Sequence, residues 1–297
     1  MNRPTLIMLV GIPGAGKTTY AKKYVAEHDN AMYLSSDLIR QELWGDEAIQ
    51  GDNNKVFSLM HDMTITALNH GKNVVYDATN ITRKDRAFII SKCPKFAKIE
   101  AHIVWAPIET CIERDAARER TVGKDVIDRM LKRFHAPYYD DGIDEIKVIL
   151  PNDFDRHVYE DWLLQECDIP HDNPHHTLNI KDHCNAAANY LQTTYGPYVY
   201  ASKDVNVYLA ALYHDIGKPY TKGFVDTKGN PCDTANYYQH HNVGAYMFYG
   251  ILQQEPEIAW LIGNHMEPFF DSKYYKNLPP YLKEKIDKLH EADMAAH

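Results

Sequence analysis

Two groups of residues in this chain have types and spacings that could do chemistry. The first is Gly11-Ile12-Pro13-Gly14-Ala15-Gly16-Lys17-Thr18, which fills every fixed position of the pattern GxxxxGK(S/T). Glycines so placed let backbone N–H groups close around a polyphosphate, and a helix start behind them adds donors and a positive dipole end. In that setting Lys17 reaches the β- and γ-phosphates and the Thr18 hydroxyl ligates Mg²⁺. ATP with Mg²⁺ is therefore the expected ligand, held by Gly11, Gly14, Ala15, Gly16, Lys17, Thr18 and Thr19. The second group comprises His183, the dipeptide His214-Asp215, His240-His241, His265 and Asp293. Five of the 16 histidines fall within residues 1–150 and eleven follow. Imidazoles and carboxylates converging on one point can hold a divalent transition metal.

The elements that must position these residues can be read from periodicity. Thr5-Leu6-Ile7-Met8-Leu9-Val10 is an apolar run suited to a buried strand, and Tyr20 and Tyr24 recur at helical spacing after the glycine loop. Further strands are expected at Ala31–Leu34, Asn73–Asp77, Ile99–Trp105 and Ile146–Leu150. Helices are expected from Leu38 to Trp44, Asn54 to Leu68, Arg83 to Ser91, Ile108 to Arg118 and Asp125 to Phe134. Strands alternating with helices predict an α/β domain, a mostly parallel sheet with helices on both faces. Its ligand crevice lies at the carboxyl ends of the strands.

Several polar residues fall at those ends. Asp37 and Arg40, three apart, share a helix face after the second strand. Asp37 is a candidate general base for a hydroxyl and Arg40 a candidate clamp on an acceptor phosphate; a helix cap and a solvated surface charge are the bland alternatives. Arg114 and Arg118, followed by Arg120, suit a lid over a transferring phosphate, or a charged helix face paired with Glu109, Glu113 and Glu119. Asp77 either joins the Mg²⁺ shell or caps the next turn.

In the second half, each candidate ligand follows apolar residues at helical spacing. His183 precedes Ala187 and Leu191, and His214 follows Val207 and Ala211. His265 follows Ile258, Leu261 and Ile262, and Asp293 follows Ile286 and Leu289. On an apolar stripe an unpaired carboxylate is costly, and a metal offsets that cost. One buried histidine is usually a satisfied core residue; the recurrence at every helix favours metal.

Length and composition set the frame. A chain of 297 residues is long enough for two domains with separate cores. The 44% apolar and 25% charged fractions are those of an ordinary globular protein. A net charge of −9 argues against a large nonspecific nucleic-acid surface, though not against a local basic groove gripping a strand end. Cys93, Cys111, Cys167, Cys184 and Cys232 lack CxxC spacing, which fits reduced thiols. No apolar run approaches the ~20 residues of a membrane span, and the chain enters a strand without a signal peptide. A cytoplasmic protein with no membrane association is expected.

The first half resembles the 5′-kinase domain of the phage polynucleotide kinase family over roughly residues 5–150. The resemblance is carried by the glycine loop, by Ser35-Ser36-Asp37-Leu38-Ile39-Arg40-Gln41, by Asp77-Ala78-Thr79-Asn80, by Arg114-Asp115-Ala116-Ala117-Arg118 and by Asp125-Val126-Ile127-Asp128-Arg129-Met130. It implies that Asp37 is the general base for a 5′-OH, that Arg40 contacts the phosphate near that end, and that Arg118 steadies the β- and γ-phosphates. Thr121-Val122-Gly123-Lys124 stands where the family usually shows Val-Pro. The DxDGT motif of the phosphatase found in some members is absent from the sequence.

The second half resembles the HD superfamily over roughly 169–297, especially the HD domains attached to CCA-adding enzymes. The matching runs are Leu212-Tyr213-His214-Asp215-Ile216-Gly217-Lys218-Pro219 and His240-His241-Asn242-Val243-Gly244-Ala245. The resemblance implies an all-α domain with one metal on His183, His214, Asp215 and Asp293. A second metal would use Asp215 with His240 and His265. One or two of Mn, Fe, Co, Ni or Zn are expected there, in a hydrolase of phosphate esters.

The expected organisation is a P-loop polynucleotide kinase domain over 1–152, a connector with a short helix near Trp162 over 153–168, and an HD phosphohydrolase domain over 169–297. Together the two resemblances imply a bifunctional end-healing enzyme. It would phosphorylate a 5′-OH from ATP and remove a 3′-phosphate or a 2′,3′-cyclic phosphate, with Lys17, Asp37, Arg40, Arg118 and Asp215 catalytic. Its expected partners are RNA or DNA ends, RNA foremost, a nucleoside triphosphate, and a nucleic-acid ligase acting downstream. The alternatives are a small-molecule kinase fused to an HD nucleotidase, and a noncatalytic nucleotide sensor.

Overall fold

The computed structural model describes residues 3–46, 49, 51–174, 176–196 and 204–296. Contacts divide the chain into two compact units, Met1–Met130 with Pro137–Asn152 and Leu131–Ala136 with Asp153–His297. Each is described by itself.

In the first unit the order is β1 (Thr5–Val10), α1 (Lys17–Glu27), β2 (Ala31–Ser35), α2 (Ser36–Trp44), α3 (Asn53–Asn69), β3 (Asn73–Asp77), α4 (Arg83–Lys92), β4 (Lys98–Val104), α5 (Ile108–Ala116), α6 (Lys124–Leu131) and β5 (Glu145–Ile149). Leu6 to Val10 are fully buried, as a continuous apolar run must be when helices cover both faces of a parallel sheet. The strands run parallel in the order β2-β3-β1-β4-β5, with Leu6 opposite Val74 and Ile99. Strand order therefore reverses at β1, and its carboxyl end opens the crevice. Ser35, Asp52 and Thr82 start α2, α3 and α4 by accepting hydrogen bonds from backbone N–H groups two or three residues on. Helix α5 stops at Ala116, so Arg118 lies in the turn beyond it and does not share a helix face with Arg114.

The second unit is mainly helical: α7 (Arg156–Glu166), α8 (Ile180–Tyr195), α9 (Val205–Tyr213), α10 (Lys218–Thr221), α11 (His240–Phe248), α12 (Pro256–Asn264), α13 (Glu267–Phe270), α14 (Lys273–Lys276) and α15 (Pro280–Ala295). It also contains an antiparallel hairpin, β6 (Gly223–Val225) and β7 (Pro231–Asn236), beyond the all-helical expectation. The short helix expected near Trp162 is the three-turn α7, capped by Asp155 and buried through Tyr159 and Leu163. Every residue of α11 is buried, which places this helix at the centre of the unit. Phe134 packs edge-on against Tyr246 at 5.4 Å, and Asn242 donates to the Lys132 carbonyl at 2.8 Å. Among the described residues no helix is long and apolar enough to cross a membrane.

Candidate active sites

The glycine loop joins the end of β1 to α1, and neighbouring strand ends hold it. Gly11 N–H donates to the Thr79 carbonyl at 3.1 Å, and Asn80, at φ 46°, donates from its amide to Leu9 O at 2.7 Å. Gly14 adopts φ +82°, and a Cβ there would lie 2.1 Å from the Cys111 carbonyl of α5, so only glycine fits. Gly16, at φ 101°, turns the chain into α1. Lys17 Nζ donates to the Gly11 and Ile12 carbonyls at 2.9 Å. Thr18 Oγ1 donates to Asp77 Oδ2 at 2.9 Å, and the Tyr33 hydroxyl donates to the same oxygen at 2.8 Å. The buried Asp77 carboxylate thus sits beside the hydroxyl expected to ligate Mg²⁺, which favours the metal-shell reading over a turn cap.

Arg40 is buried, not a solvated charge. It donates to Asp37 Oδ1 at 3.0 Å and to Asn53 Oδ1 at 2.9 Å. The Asp37 side chain stays half exposed, with Arg120 3.7 Å from the same oxygen. Arg114 and Arg118 are exposed. Burial lowers the Lys17 pKa and Asp77 opposes it; Arg118 lowers it further and Asp37 raises it, so all four charges act on one region.

In the second unit His183, His214, Asp215, His240, His265 and Asp293 converge. His183 comes from the middle of a buried stripe on α8. His214 and His265 stand at the C-caps of α9 and α12, His240 opens α11, and Asp293 lies in the last turn of α15. His183 Nε2 lies 3.2 Å from His214 Nε2, and Asp293 Oδ1 is 2.9 Å and 3.3 Å from them. Asp215 Oδ2 is 3.5 Å from His183 and 3.4 Å from His214. Asp215 Oδ1 faces the other way, 3.2 Å from His240 Nε2 and 3.9 Å from His265 Nε2, which are 3.1 Å apart.

The other ring nitrogens decide what this set can bind. Nδ1 of His183, His214, His240 and His265 donates to the carbonyls of Ala296, Ala211, Tyr237 and Ile262 at 2.6–2.9 Å. A carbonyl only accepts, so each Nδ1 carries its proton and each neutral ring turns an Nε2 lone pair inward. Facing lone pairs at about 3 Å repel unless a cation lies between them, so the donor set fits a metal. His183, His214 and Asp293 form one group within ligand reach; Asp215, His240 and His265 form another. Cys184 with His214 and Asp215 forms a third that the sequence reading did not foresee.

Known families match both regions. Residues 6–137 match the AAA domain model and residues 168–292 match the HD domain model. The chain joins an AAA-type P-loop domain to an HD domain. Over 144 residues it is 28% identical to the L-seryl-tRNA(Sec) kinase of Methanococcus maripaludis, covering 44% of this chain and 53% of that protein. The chain thus spans about half the length of this relative. A chain of the Pnkp1/Rnl/Hen1 RNA repair complex aligns at 23% identity over 45% of this chain and 44% of that one, with a TM-score of 0.41. A fungal RNA kinase aligns at 15% identity over 57% and 45%, with a TM-score of 0.40.

The HD domain also brings in residues the sequence reading missed. Lys218 is buried with its ammonium 2.6 Å from Asp215 Oδ2 and 3.2 Å from His171 Nε2. His171 donates Nδ1–H to the Leu178 carbonyl at 2.8 Å, and His176 stacks on it at 4.0 Å. Burial opposes ionisation of Asp215, but the Lys218 ammonium beside it holds its carboxyl well below the usual range. Burial and the charges of Lys218 and His171 push the His176 pKa down to about 3. Lys218 stands at i+3 from Asp215, so helical spacing was the signal available for it. His171, in coil, offered only the local density of histidines. His241, named with His240 among the candidate residues, lies outside the ligand groups found among the described residues.

Proposed function

We propose that the chain heals nucleic-acid ends, RNA foremost. The P-loop domain phosphorylates a 5′-OH from ATP, and the HD domain removes a 3′-phosphate or opens and removes a 2′,3′-cyclic phosphate. The observation that carries this reading is the pairing, in one chain, of a phosphate-transfer loop beside Asp37 and Arg40 with a buried His/Asp metal set. A relative named for a kinase of L-seryl-tRNA(Sec) supports a kinase whose acceptor hydroxyl is attached to RNA. The two products, a 5′-phosphate and a 3′-OH, are the ends a nucleic-acid ligase joins, which makes a ligase the expected next enzyme.

In the kinase reaction Lys17 leaves its loop carbonyls for the β- and γ-phosphates. Thr18 and Asp77 would hold Mg²⁺, which neutralises phosphate charge. Asp37 accepts the proton of the attacking hydroxyl. Arg40, buried between Asp37 and Asn53, orients that carboxylate, and Arg114 at the end of α5 with Arg118 and Arg120 in the α5–α6 turn supply positive charge. In the HD domain His183, His214, Asp215 and Asp293 would hold one metal, and Asp215, His240 and His265 a second. A bound divalent metal makes a ligated water acidic enough to attack a phosphate ester near neutral pH. Lys218 orients Asp215 and keeps a cation beside the metal-facing carboxylate.

The test is a competition for labelled γ-phosphate between a 5′-OH oligonucleotide and a free nucleoside. Label on the strand supports the reading. Label on the nucleoside alone would replace it with a small-molecule kinase, and ATP binding without transfer to either would replace it with a sensor.

A further inference from the structure

Above the HD metal set lies a cleft of roughly 510 Å³. Its polar lining is the metal-facing group Asp215, His240, His265 and Asp293, with Lys218 and His176. The rest is apolar and aromatic: Tyr237, Tyr238, Met266, Phe269 and Met294. Tyr238 is 38%, Phe269 51% and Met294 47% exposed, high values for large apolar side chains on the wall of a cleft. A ligand that suits this lining is an anion at one end and a flat apolar ring at the other.

The backbone holds two of these walls in place. Tyr237, Tyr238 and His240 all reach one cleft although they are nearly consecutive, because Gln239 between them adopts φ 63°, ψ 26°. Left-handed backbone is costly for a residue other than glycine and persists where the surroundings enforce it. Here Asn242 enforces it, donating to Gln239 Oε1 at 2.8 Å and anchoring to the Lys132 carbonyl. Lys218 Nζ lies 5.4 Å from the centre of the Tyr237 ring, so the cation and this wall are fixed together. On the other side Phe269 meets His290 edge-on at 4.4 Å, and Asp271 at φ 46° ends the helix that carries it.

We infer that this cleft is a one-nucleotide platform. The phosphate of a terminal nucleotide lies over the metal set and Lys218, and its base stacks on Phe269 and Tyr238. The inference rests on the HD half of the end-healing reading and narrows it to the last nucleotide, with no requirement for a second. A cleft of this size is within the range that encloses one small ligand. Aromatic stacking accepts every base, so the platform is indifferent to sequence.

The experiment compares three substrates: an oligonucleotide with a 3′-phosphate, the same strand with an abasic last residue, and a free nucleoside 3′-phosphate. Wild type should process the first and third with similar kcat/KM and the abasic strand about 5- to 150-fold less well, the range of one base–aromatic stack. Phe269→Ala and Tyr238→Ala should bring the base-to-abasic ratio toward one while metal content by elemental analysis stays unchanged. A 2-aminopurine placed as the last base should be quenched on binding to wild type and less so by the two variants. Equal rates for base and abasic ends in wild type would overturn the platform, as would failure of the free nucleotide alone. If none of the substrates releases phosphate, the 3′-phosphatase part of the end-healing reading falls, and the quenching alone then decides the platform.

Discussion

Asp37 offers its carboxylate to solvent while Arg40 holds it from the buried side at 3.0 Å, which orients it for the general-base role proposed for it. Asp37→Asn should lower kcat by about 10²- to 10⁴-fold with little change in the KM for ATP, since a base acts in the transition state. Turnover at the wild-type rate would reduce Asp37 to the ion-pair partner of Arg40 in the first turn of α2, where Ser35 is the cap. In the HD domain Asp215 turns Oδ2 toward His183 and His214 and Oδ1 toward His240 and His265, whereas His240 lies in one ligand group. Asp215→Ala should therefore lose all bound metal by elemental analysis, and His240→Ala should keep the equivalent of one site. Unchanged metal content in Asp215→Ala would contradict the shared-carboxylate arrangement. At this scale placement was legible wherever it depends on spacing inside one segment: Lys17 and Thr18 in the loop, His214 beside Asp215. The choice between the two readings of Asp77, and the position of His171, were not, because both depend on which strand ends and coils the fold brings together.

At the scale of elements, Gly217 shows how closely the metal set depends on helix packing. A Cβ on Gly217 would lie 2.1 Å from the His240 carbonyl and 2.6 Å from the Gly244 nitrogen, both backbone atoms of α11. Such atoms cannot rotate away, so Gly217→Ala must push the start of α11, and His240 with it, off Asp215. The variant should lose metal at the His240–His265 group, keep it at the His183–His214–Asp293 group, and lose most phosphohydrolase activity. Full retention of both metals with normal hydrolysis would show that α11 tolerates the shift. The parallel sheet was readable from alternating apolar strands and amphipathic helices, and the ligand helices from their stripes. Helix ends were not. His214 and His265 terminate their helices because each Nδ1–H satisfies the carbonyl three residues earlier, one of the groups a helix end leaves unpaired. The β6–β7 hairpin escaped because Gly223–Val225 is too short for a strand pattern to show.

Across the whole molecule, each unit contains a complete set of candidate groups within its own stretch of chain. Lys17→Ala should accordingly abolish phosphoryl transfer while phosphate release by the HD domain stays within about 2-fold of wild type, since sites with no shared partners behave independently. Equal loss of both activities in a folded variant would show the two reactions to be coupled. The central claim is that one chain prepares both ends of a broken strand. It is tested most directly by incubating the metal-loaded protein, ATP and Mg²⁺ with an RNA bearing a 5′-OH and a 2′,3′-cyclic phosphate, and following both ends of the same molecule. The account predicts a product with a 5′-phosphate and a 3′-OH. An RNA recovered with both ends unchanged, under conditions where the protein phosphorylates a free nucleoside or hydrolyses a free nucleotide, would contradict it.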